Sequence, residues 1–476
     1  MTFDARREDL TLGIVGAGIM GRGIAQLAAE AGITVLLADA QRETVDEAVT
    51  FIAGMLRRKV AKGKLSAEDA EAALARIQVA DAGPASGYKA FAPCHAVIEA
   101  VIEKMPVKHS VLAALEDVVS DACILATNTS SLSVTGIAAP ARRPERIAGF
   151  HFFNPVPLMP LVEVIGGVMT APWVTEGLIA LADRFGHRPV RATDTPGFLV
   201  NHAGRAFGTE ALRIVSEGVC SPVDVDRIMT GAAGFRMGPF QLLDLTGLDV
   251  SHTVMESIYH QYYEEPRYRP STITAQRHTA GLHGRKTGQG FYVYRDGKAE
   301  MPAEPAVPKR GTAPVWVSDR HPDEAEAVRI ALRATGVVVE TASRPTPDAV
   351  CLVTPFGTDA TTAAVSEDLD PARVVAVDML FGLKGRRTIM GTPVTRPAAL
   401  DHVQALLAAE GWPVTVINDS PGFVAQRIVA GIVNVGADIA QQRIAAPDDI
   451  NAAVELGLGY PRGSLRFGDE LGPRRI

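Results

Sequence analysis

Thr11-Leu12-Gly13-Ile14-Val15, followed directly by Gly16-Ala17-Gly18-Ile19-Met20-Gly21, is the stretch on which the fold turns. The first five residues read as a short apolar strand. The next six match G-x-G-x-x-G, and residues 23–31, rich in Ala, Ile and Leu, read as a helix. A second apolar strand over 33–38 ends at Asp39. A glycine hexad alone is a weak signal. A strand before it, a helix after it and an acid closing the next strand make it a dinucleotide fingerprint. Gly16 permits the tight turn, Gly18 lets the backbone approach a pyrophosphate, and Gly21 lets helix and strand pack closely. Ile19 and Met20, within the glycine turn, are candidate cofactor contacts, and the N-terminus of the helix that follows faces the phosphates. Asp39 accepts from the adenosine ribose and repels a 2′-phosphate, which favours NAD over NADP, although Arg42 stands nearby.

Working outward, residues 96–99 and 123–126 read as further buried strands with a helix over 106–119 between them. Continuous apolar strands alternating with helices predict a parallel sheet covered on both faces. From about residue 146 the spacing changes. Residues 146–153 and 161–165 read as two strands joined by Asn154-Pro155-Val156-Pro157-Leu158-Met159-Pro160. His151 sits late in the first strand, and Glu163 lies inside the apolar Leu161-Val162-Glu163-Val164-Ile165. A carboxylate in such a strand needs a partner. If the strands run antiparallel, the two side chains face each other. A buried carboxylate then holds one imidazole tautomer and stabilises the imidazolium, which suits a general base. An isolated His–Glu pair would be read as core structure; beside a dinucleotide site the catalytic reading is preferred. The hydroxyl-rich Thr127-Asn128-Thr129-Ser130-Ser131-Leu132-Ser133 follows a strand, at the end where such sheets bind ligands. It reads equally as a substrate-oxygen holder or as a helix N-cap.

Beyond Asp194-Thr195-Pro196-Gly197-Phe198 the chain turns helical to about 290, and the Pro-, Ala-, Lys- and Glu-rich 296–314 reads as a linker. From Val315 strands and helices alternate again. The Asp194 segment recurs as Asp419-Ser420-Pro421-Gly422-Phe423, an offset of 225 (419 − 194) that also links Pro222 to Pro447, Gly238 to Gly463, Asp244 to Asp469 and Gly247 to Gly472. A constant offset of this kind marks an internal repeat. The expected architecture is an α/β Rossmann domain over 1–190 and a helical domain over 191–295, which prepares substrate and packing surfaces. After the linker comes a degenerate second copy of both, a Rossmann-like domain over 315–416 and a helical one over 417–476. The second copy opens with no G-x-G-x-x-G. Aligning Arg146 with Arg373 puts Asp378 at the His151 position and Met390 at the Glu163 position, while Gln426 takes that of Asn201. No catalysis is expected there.

Composition narrows the function classes. Of 476 residues, 47% are hydrophobic and 21% charged, ordinary for a globular protein, and the net charge of −7 with no long basic run argues against nucleic acid. No apolar run reaches the roughly 18 residues that span a bilayer. The polar first ten residues hold no apolar signal core. Cys94, Cys123, Cys220 and Cys351 form no CxxC pair and read as reduced cytoplasmic thiols. No metal site is expected.

Together, Gly16–Gly21, Asn128-Thr129-Ser130-Ser131-Leu132, His151-Phe152-Phe153-Asn154-Pro155-Val156-Pro157, Leu161–Ile165 and Asp194-Thr195-Pro196-Gly197-Phe198-Leu199-Val200-Asn201 resemble the L-3-hydroxyacyl-CoA dehydrogenases. The resemblance covers about residues 10–295. It implies oxidation of an L-3-hydroxyacyl-CoA to the 3-oxoacyl-CoA with hydride transfer to NAD, His151 serving as base with Glu163 as its partner. Ser130 and Asn201 would hydrogen-bond the substrate. Glu103, Lys108, Asn154 and Lys286 would lie near the cofactor. The basic stretch 57–64, with Arg58 and Lys62, resembles the family's coenzyme A contact helix; a solvated helix face is the other reading. Gly54 and His202 depart from the family's usual residues at those positions. Two-copy bacterial members resemble 3-hydroxybutyryl-CoA and 3-hydroxyadipyl-CoA dehydrogenases. Short members dimerise through their helical domains, so the second copy is expected to form an internal pseudo-dimer, with a further homo-oligomer possible. Two rivals remain: a dehydrogenase of a free hydroxy acid, and a non-catalytic NAD-binding structural protein.

Overall fold

The computed structural model describes residues 3–81 and 87–476. The chain divides into two compact units, one of Met1–Ala203 with Asp438–Leu458, the other of Gly204–Ala437 with Gly459–Ile476.

The first unit is built on an eight-stranded sheet. Its strands are β1 (Thr11–Val15), β2 (Thr34–Ala38), β3 (Ile77–Val79), β4 (Ala96–Glu99), β5 (Ile124–Thr127), β6 (Ile147–Phe152), β7 (Leu161–Gly166) and β8 (Arg188–Thr193). They lie in the order β3-β2-β1-β4-β5-β6-β7-β8. All pairings are parallel except β6 with β7. Successive strand residues point to opposite faces, and both faces are apolar. Ile14, Ile98, Ile124 and Phe150 pack on one side with Ile24 and Leu178, while Val15, Val97 and Leu125 pack on the other with Leu112 and Ile137. This is why the strands read as continuous apolar runs. The edge strand β8 is covered by the second-copy segment: Thr193 N–H donates to Ile444 O at 3.0 Å, and Asp449 accepts from Arg191 N at 3.1 Å and Arg188 Nη2 at 2.9 Å.

The second unit carries the helices Arg205–Ser216, Pro222–Gly231, Pro239–Thr246, Leu248–Gln261 and Thr272–Thr279. A short hairpin follows, β9 (Tyr294–Arg295) and β10 (Lys298–Ala299). The expected linker thus begins as a hairpin, and its Pro302 and Ala303 carbonyls accept from Arg227. A six-stranded sheet comes next, with β11 (Val315–Val317), β12 (Val339–Glu340), β13 (Val350–Val353), β14 (Val374–Val377), β15 (Arg387–Gly391) and β16 (Val414–Ile417) in the order β12-β11-β13-β14-β15-β16. Here too one pairing is antiparallel, β14 with β15. The sheet is a shortened copy of the first. β13 leads into a helix, Ala360–Ser366, whose first N–H groups bond to Asp419, as β5 leads into Val134–Ala138, whose first N–H groups bond to Asp194. Yet β13 pairs directly with β11, where the first copy interposes β4.

The repeat holds in three dimensions. In the second unit Asn418 N–H donates to Val219 O at 2.9 Å, and the offset of 225 carries this pair onto Thr193 and Ile444 with the copies exchanged. The two helical copies also touch within that unit. Arg427 pairs with Glu210 at 2.8 Å and Glu217 at 2.6 Å. Phe235 stacks with Phe207 at 4.8 Å between centroids and meets Tyr460 at 5.0 Å. The expected helical stretch 417–476 is accordingly divided between the units, because the repeat is exchanged and not stacked end to end.

One alignment needs correction. Asp378 does occupy the His151 position, but its partner across the antiparallel pair is Thr388, not Met390: Asp378 N–H donates to Thr388 O at 2.9 Å. Two residues are lost in the connection between β14 and β15, which returns the offset from 227 to 225.

Candidate active site

Most candidate groups of the first unit stand near the carboxyl ends of strands, and the glycine turn after β1 comes first. Gly16 has φ of 101°, open to glycine, and a Cβ there would lie 2.6 Å from Ala100 O. A Cβ on Gly21 would lie 1.7 Å from Gly16 O, so helix and turn pack at backbone distance. A Cβ on Gly18 would meet nothing within 4 Å. Gly18 is the N-cap of the helix Ile19–Glu30 and offers no side-chain acceptor, which leaves the first N–H groups to an anion. Ile19, 59% exposed, flanks this opening, with Met20 half-buried behind it. Asp39 Oδ2 accepts from Ala17 N at 2.7 Å and Oδ1 from Gln41 N at 3.2 Å. Each oxygen keeps a lone pair for a ribose hydroxyl. A tight turn, an open backbone above it, uncapped N–H groups and a carboxylate at the next strand's end fit a dinucleotide without a 2′-phosphate.

The ends of β4 and β5 form a charged cluster. Glu99, fully buried at the end of β4, takes the Lys108 ammonium at 3.0 and 3.1 Å and is also bonded by the Thr127 hydroxyl. Burial pushes the Glu99 carboxyl up, with Lys108 opposing it. Glu103 lies 3.3 Å from the same ammonium and gathers the turn after β5, accepting from Thr129 Oγ1 at 2.6 Å, Ser130 N at 2.8 Å and Ser131 N at 3.1 Å. Burial raises Glu103, but Lys108 and these donors outweigh it and hold the carboxyl below its usual range. The two readings of the hydroxyl-rich segment therefore fall on different residues. Ser133 is the helix cap, accepting from Gly136 N at 3.0 Å, whereas Ser130 caps nothing and is half-buried beside Glu103.

His151 is the penultimate residue of β6, directly opposite Glu163 in the antiparallel register. Its Nδ1 lies 2.5 Å from Glu163 Oε2. The other carboxylate oxygen, Oε1, accepts from Leu199 N at 2.9 Å and Val200 N at 2.7 Å. One fully buried carboxylate thus fixes both the imidazole and the start of the helix Val200–Ala203, on which Asn201 stands. Asp194 holds the same loop from the other side through Ser133, Val134 and Thr135. Phe153 and Phe198 flank the ring, at 4.5 and 6.0 Å between centroids. Among the described residues His151 Nε2 has no hydrogen-bond partner.

The remaining candidates are less gathered. Asn154 is exposed just beyond β6. Arg58 and Lys62 are exposed at the end of the helix Arg42–Ala61, where Lys59 pairs instead with Glu30. Lys286 belongs to the second unit and pairs with Asp249. Sequence reading missed Glu99; its signal was an acid ending an apolar strand with a lysine nine residues on.

Comparison with known proteins fits this arrangement. A family model described as 3-hydroxyacyl-CoA dehydrogenase, NAD binding domain, matches residues 11–195. The companion C-terminal domain model matches twice, over 197–294 and 422–475. The chain is 36% identical to the 3-hydroxyadipyl-CoA dehydrogenase of Escherichia coli K12 over 98% of its own length and 92% of that protein. The chain belongs to the 3-hydroxyacyl-CoA dehydrogenase family.

As in its relatives, this is an NAD-dependent oxidoreductase acting on 3-hydroxyacyl-CoA. A crystal structure of 3-hydroxybutyryl-CoA dehydrogenase from Escherichia coli K12 superposes with a TM-score of 0.84 at 35% identity, covering 98% of this chain and 93% of that one. Human mitochondrial hydroxyacyl-coenzyme A dehydrogenase is 38% identical over 59% of this chain and 90% of its own. The match to the NAD binding domain model, residues 11–195, spans the glycine turn, His151 and Glu163. No helix among the described residues is long and apolar enough to cross a membrane.

In the second copy the same positions are closed off. Gln426 Nε2 donates to Asp378 at 2.9 Å, and its oxygen accepts from Gly357 N at 2.9 Å. Burial pushes the Asp378 carboxyl up to about 6.

Proposed function

We propose that the protein oxidises the hydroxyl of an L-3-hydroxyacyl-CoA at one site per chain, with His151 as general base and Glu163 as its partner. The observation that carries this is the Glu163 carboxylate, bonded at once to His151 Nδ1 and to the backbone of Leu199 and Val200. Because Nδ1–H is committed to Glu163, the lone pair lies on Nε2, which takes the substrate's hydroxyl proton. The resulting imidazolium sits against a carboxylate that needs no rearrangement. Ser130 and Asn201 hold the substrate oxygen, keeping the reacting carbon in register with the base. Gly16, Gly18, Ile19, Met20, Gly21 and Asp39 hold NAD, which supplies the hydride acceptor. Glu103, Lys108 and Asn154 complete the cofactor contacts, and Arg58 and Lys62 attract the coenzyme A phosphates.

The names of the relatives support short 3-hydroxyacyl groups, such as hydroxybutyryl or hydroxyadipyl, as substrates. The exchanged helical contacts support an internal pseudo-dimer, and the four free cysteines support a reducing, cytoplasmic setting. Oxidation of NADH with acetoacetyl-CoA, set beside the free keto acids, tests the reading. Turnover of the CoA thioester is expected. Turnover of free acids alone, or none with either, would overturn it in favour of a free-acid dehydrogenase or a non-catalytic NAD-binding protein.

A further inference from the structure

We infer that the second copy, though it carries no catalytic set, positions the His151–Glu163 pair of the first, through the turn Ala453–Gly457 with Gly457 as the positioning residue. The inference rests on the role proposed above for that pair. The segment Asp438–Leu458 belongs to the first unit, anchored along β8 by Ile444 and Asp449. From there the helix Pro447–Ala452 runs into Ala453–Gly457, a π-turn with one more residue per turn than an α-helix. Such turns shift the backbone sideways, and they recur near functional sites. This one ends with Gly457 against the site's supports. A Cβ on Gly457 would lie 3.0 Å from Leu161 Cδ2 and 3.1 and 3.2 Å from the two Val200 methyls.

Both neighbours lead straight to Glu163. Leu161 opens β7 two residues before it, and Val200 N–H donates to its Oε1 at 2.7 Å. Leu161, Glu163 and Val200 are buried, and Val200 is stiff at χ1, so displacement of its side chain is passed to the backbone. The backbone carries it to Glu163, and Glu163 to the imidazole. The repeat shows that the π-turn is not demanded by the helical copy itself. At the offset of 225 the counterpart of Gly457 is Ala232, and the turn before it is the end of a regular α-helix, Pro222–Gly231. The wide turn occurs in the copy that abuts β7 and Val200.

Gly457→Ala and Gly457→Val test this, with Gly231→Ala as the control. A Cβ on Gly231 would lie 2.9 Å from Arg386 Cβ in the second unit, a strain remote from the pair in sequence and in unit. Two readouts are taken: kcat and KM with NADH and acetoacetyl-CoA, and the downfield proton resonance of the His151 Nδ1–H bond in protein with nitrogen-labelled histidine. For Gly457→Ala, kcat should fall about tenfold, with further loss in Gly457→Val and KM for NADH within about twofold of the parent. The resonance should shift in step. Gly231→Ala should lower the melting temperature yet keep both kcat and resonance. Should Gly457→Val not fold, Gly457→Ala and Gly457→Ser carry the same comparison. Parental kcat and resonance in the Gly457 variants, or equal changes in Gly231→Ala, would overturn the inference. A parent without turnover whose resonance moves only in the Gly457 variants would leave the positioning intact and reject the reaction instead.

Discussion

Replacing Glu163 by glutamine changes one atom and should disable the site while leaving the fold in place. Glu163 Oε1 accepts two backbone N–H groups, and Oε2 faces His151 Nδ1. A glutamine amide has one accepting oxygen, and the two buried N–H donors claim it, since leaving them unpaired costs roughly 1–3 kcal/mol each. The amide nitrogen then points its donor at Nδ1. The imidazole must answer with a lone pair on Nδ1 and carry its proton on Nε2, where it can no longer take one from an alcohol. Loss of the correct tautomer is worth about 10³–10⁴ in kcat where a carboxylate orients a histidine base, or about 4–5.5 kcal/mol in barrier. Folding stability should change by only about 1 kcal/mol, since both backbone bonds survive. Glu163→Ala should differ in kind, losing several kcal/mol of stability as well as activity, because Leu199 and Val200 keep no acceptor. Stopped-flow or steady-state NAD reduction with L-3-hydroxybutyryl-CoA, beside thermal unfolding of each variant, separates the two. A Glu163→Gln enzyme within about tenfold of the parent kcat would refute the reasoning, as would a rate loss matched by an alanine-like loss of stability.

Other perturbations follow from the same geometry. Lys108→Met alone leaves the buried Glu99 without its counter-charge and should cost about 3–5 kcal/mol in chemical denaturation, whereas Lys108→Met with Glu99→Gln should recover much of it; equal losses in the single and double variants would contradict this. Asp378, pushed up to about 6 in the folded protein from an ordinary 3.8, binds its proton more tightly folded than unfolded. Its contribution to stability is therefore present below about pH 4 and lost as pH rises to about 6, up to about 3 kcal/mol. In Asp378→Asn this fall with pH should flatten, as read from denaturant midpoints at several pH values, while activity stays parental. Calorimetric titration with NADH should give one site per chain, because Gly16–Gly21 has no counterpart at the start of the second copy; two sites would contradict it.

The nucleotide end and the His–Glu pair were legible in the sequence because both are written in local pattern. Strand, glycine hexad, helix and Asp39 are close together in sequence, and Gly16 and Gly21 sit where a side chain would collide with backbone. His151 and Glu163 straddle one proline-rich connection, so strand alternation alone put them face to face. What escaped is non-local. Nothing near Glu163 announces that its second oxygen holds Leu199 and Val200, more than 30 residues on. Glu99 looked like the end of a strand because its partner lies on the next helix. The repeat was visible as an offset, but its exchange was not: hydrogen bonds of Thr193 with Ile444 and of Asn418 with Val219 join residues some 200 or more apart. The Met390 alignment failed for a related reason, since a two-residue deletion in a connection leaves no mark until strand register is seen. The Asp194 and Asp419 segments survive in both copies as holders of a helix start.

The central claim is one base in one copy. The most direct measurement is kcat for NADH oxidation with acetoacetyl-CoA in His151→Gln, with Asp378→Ala beside it. The account predicts a fall of about 10³-fold or more in the first, with NADH affinity retained, and parental turnover in the second. Substantial turnover by His151→Gln, or comparable loss in Asp378→Ala, would contradict it.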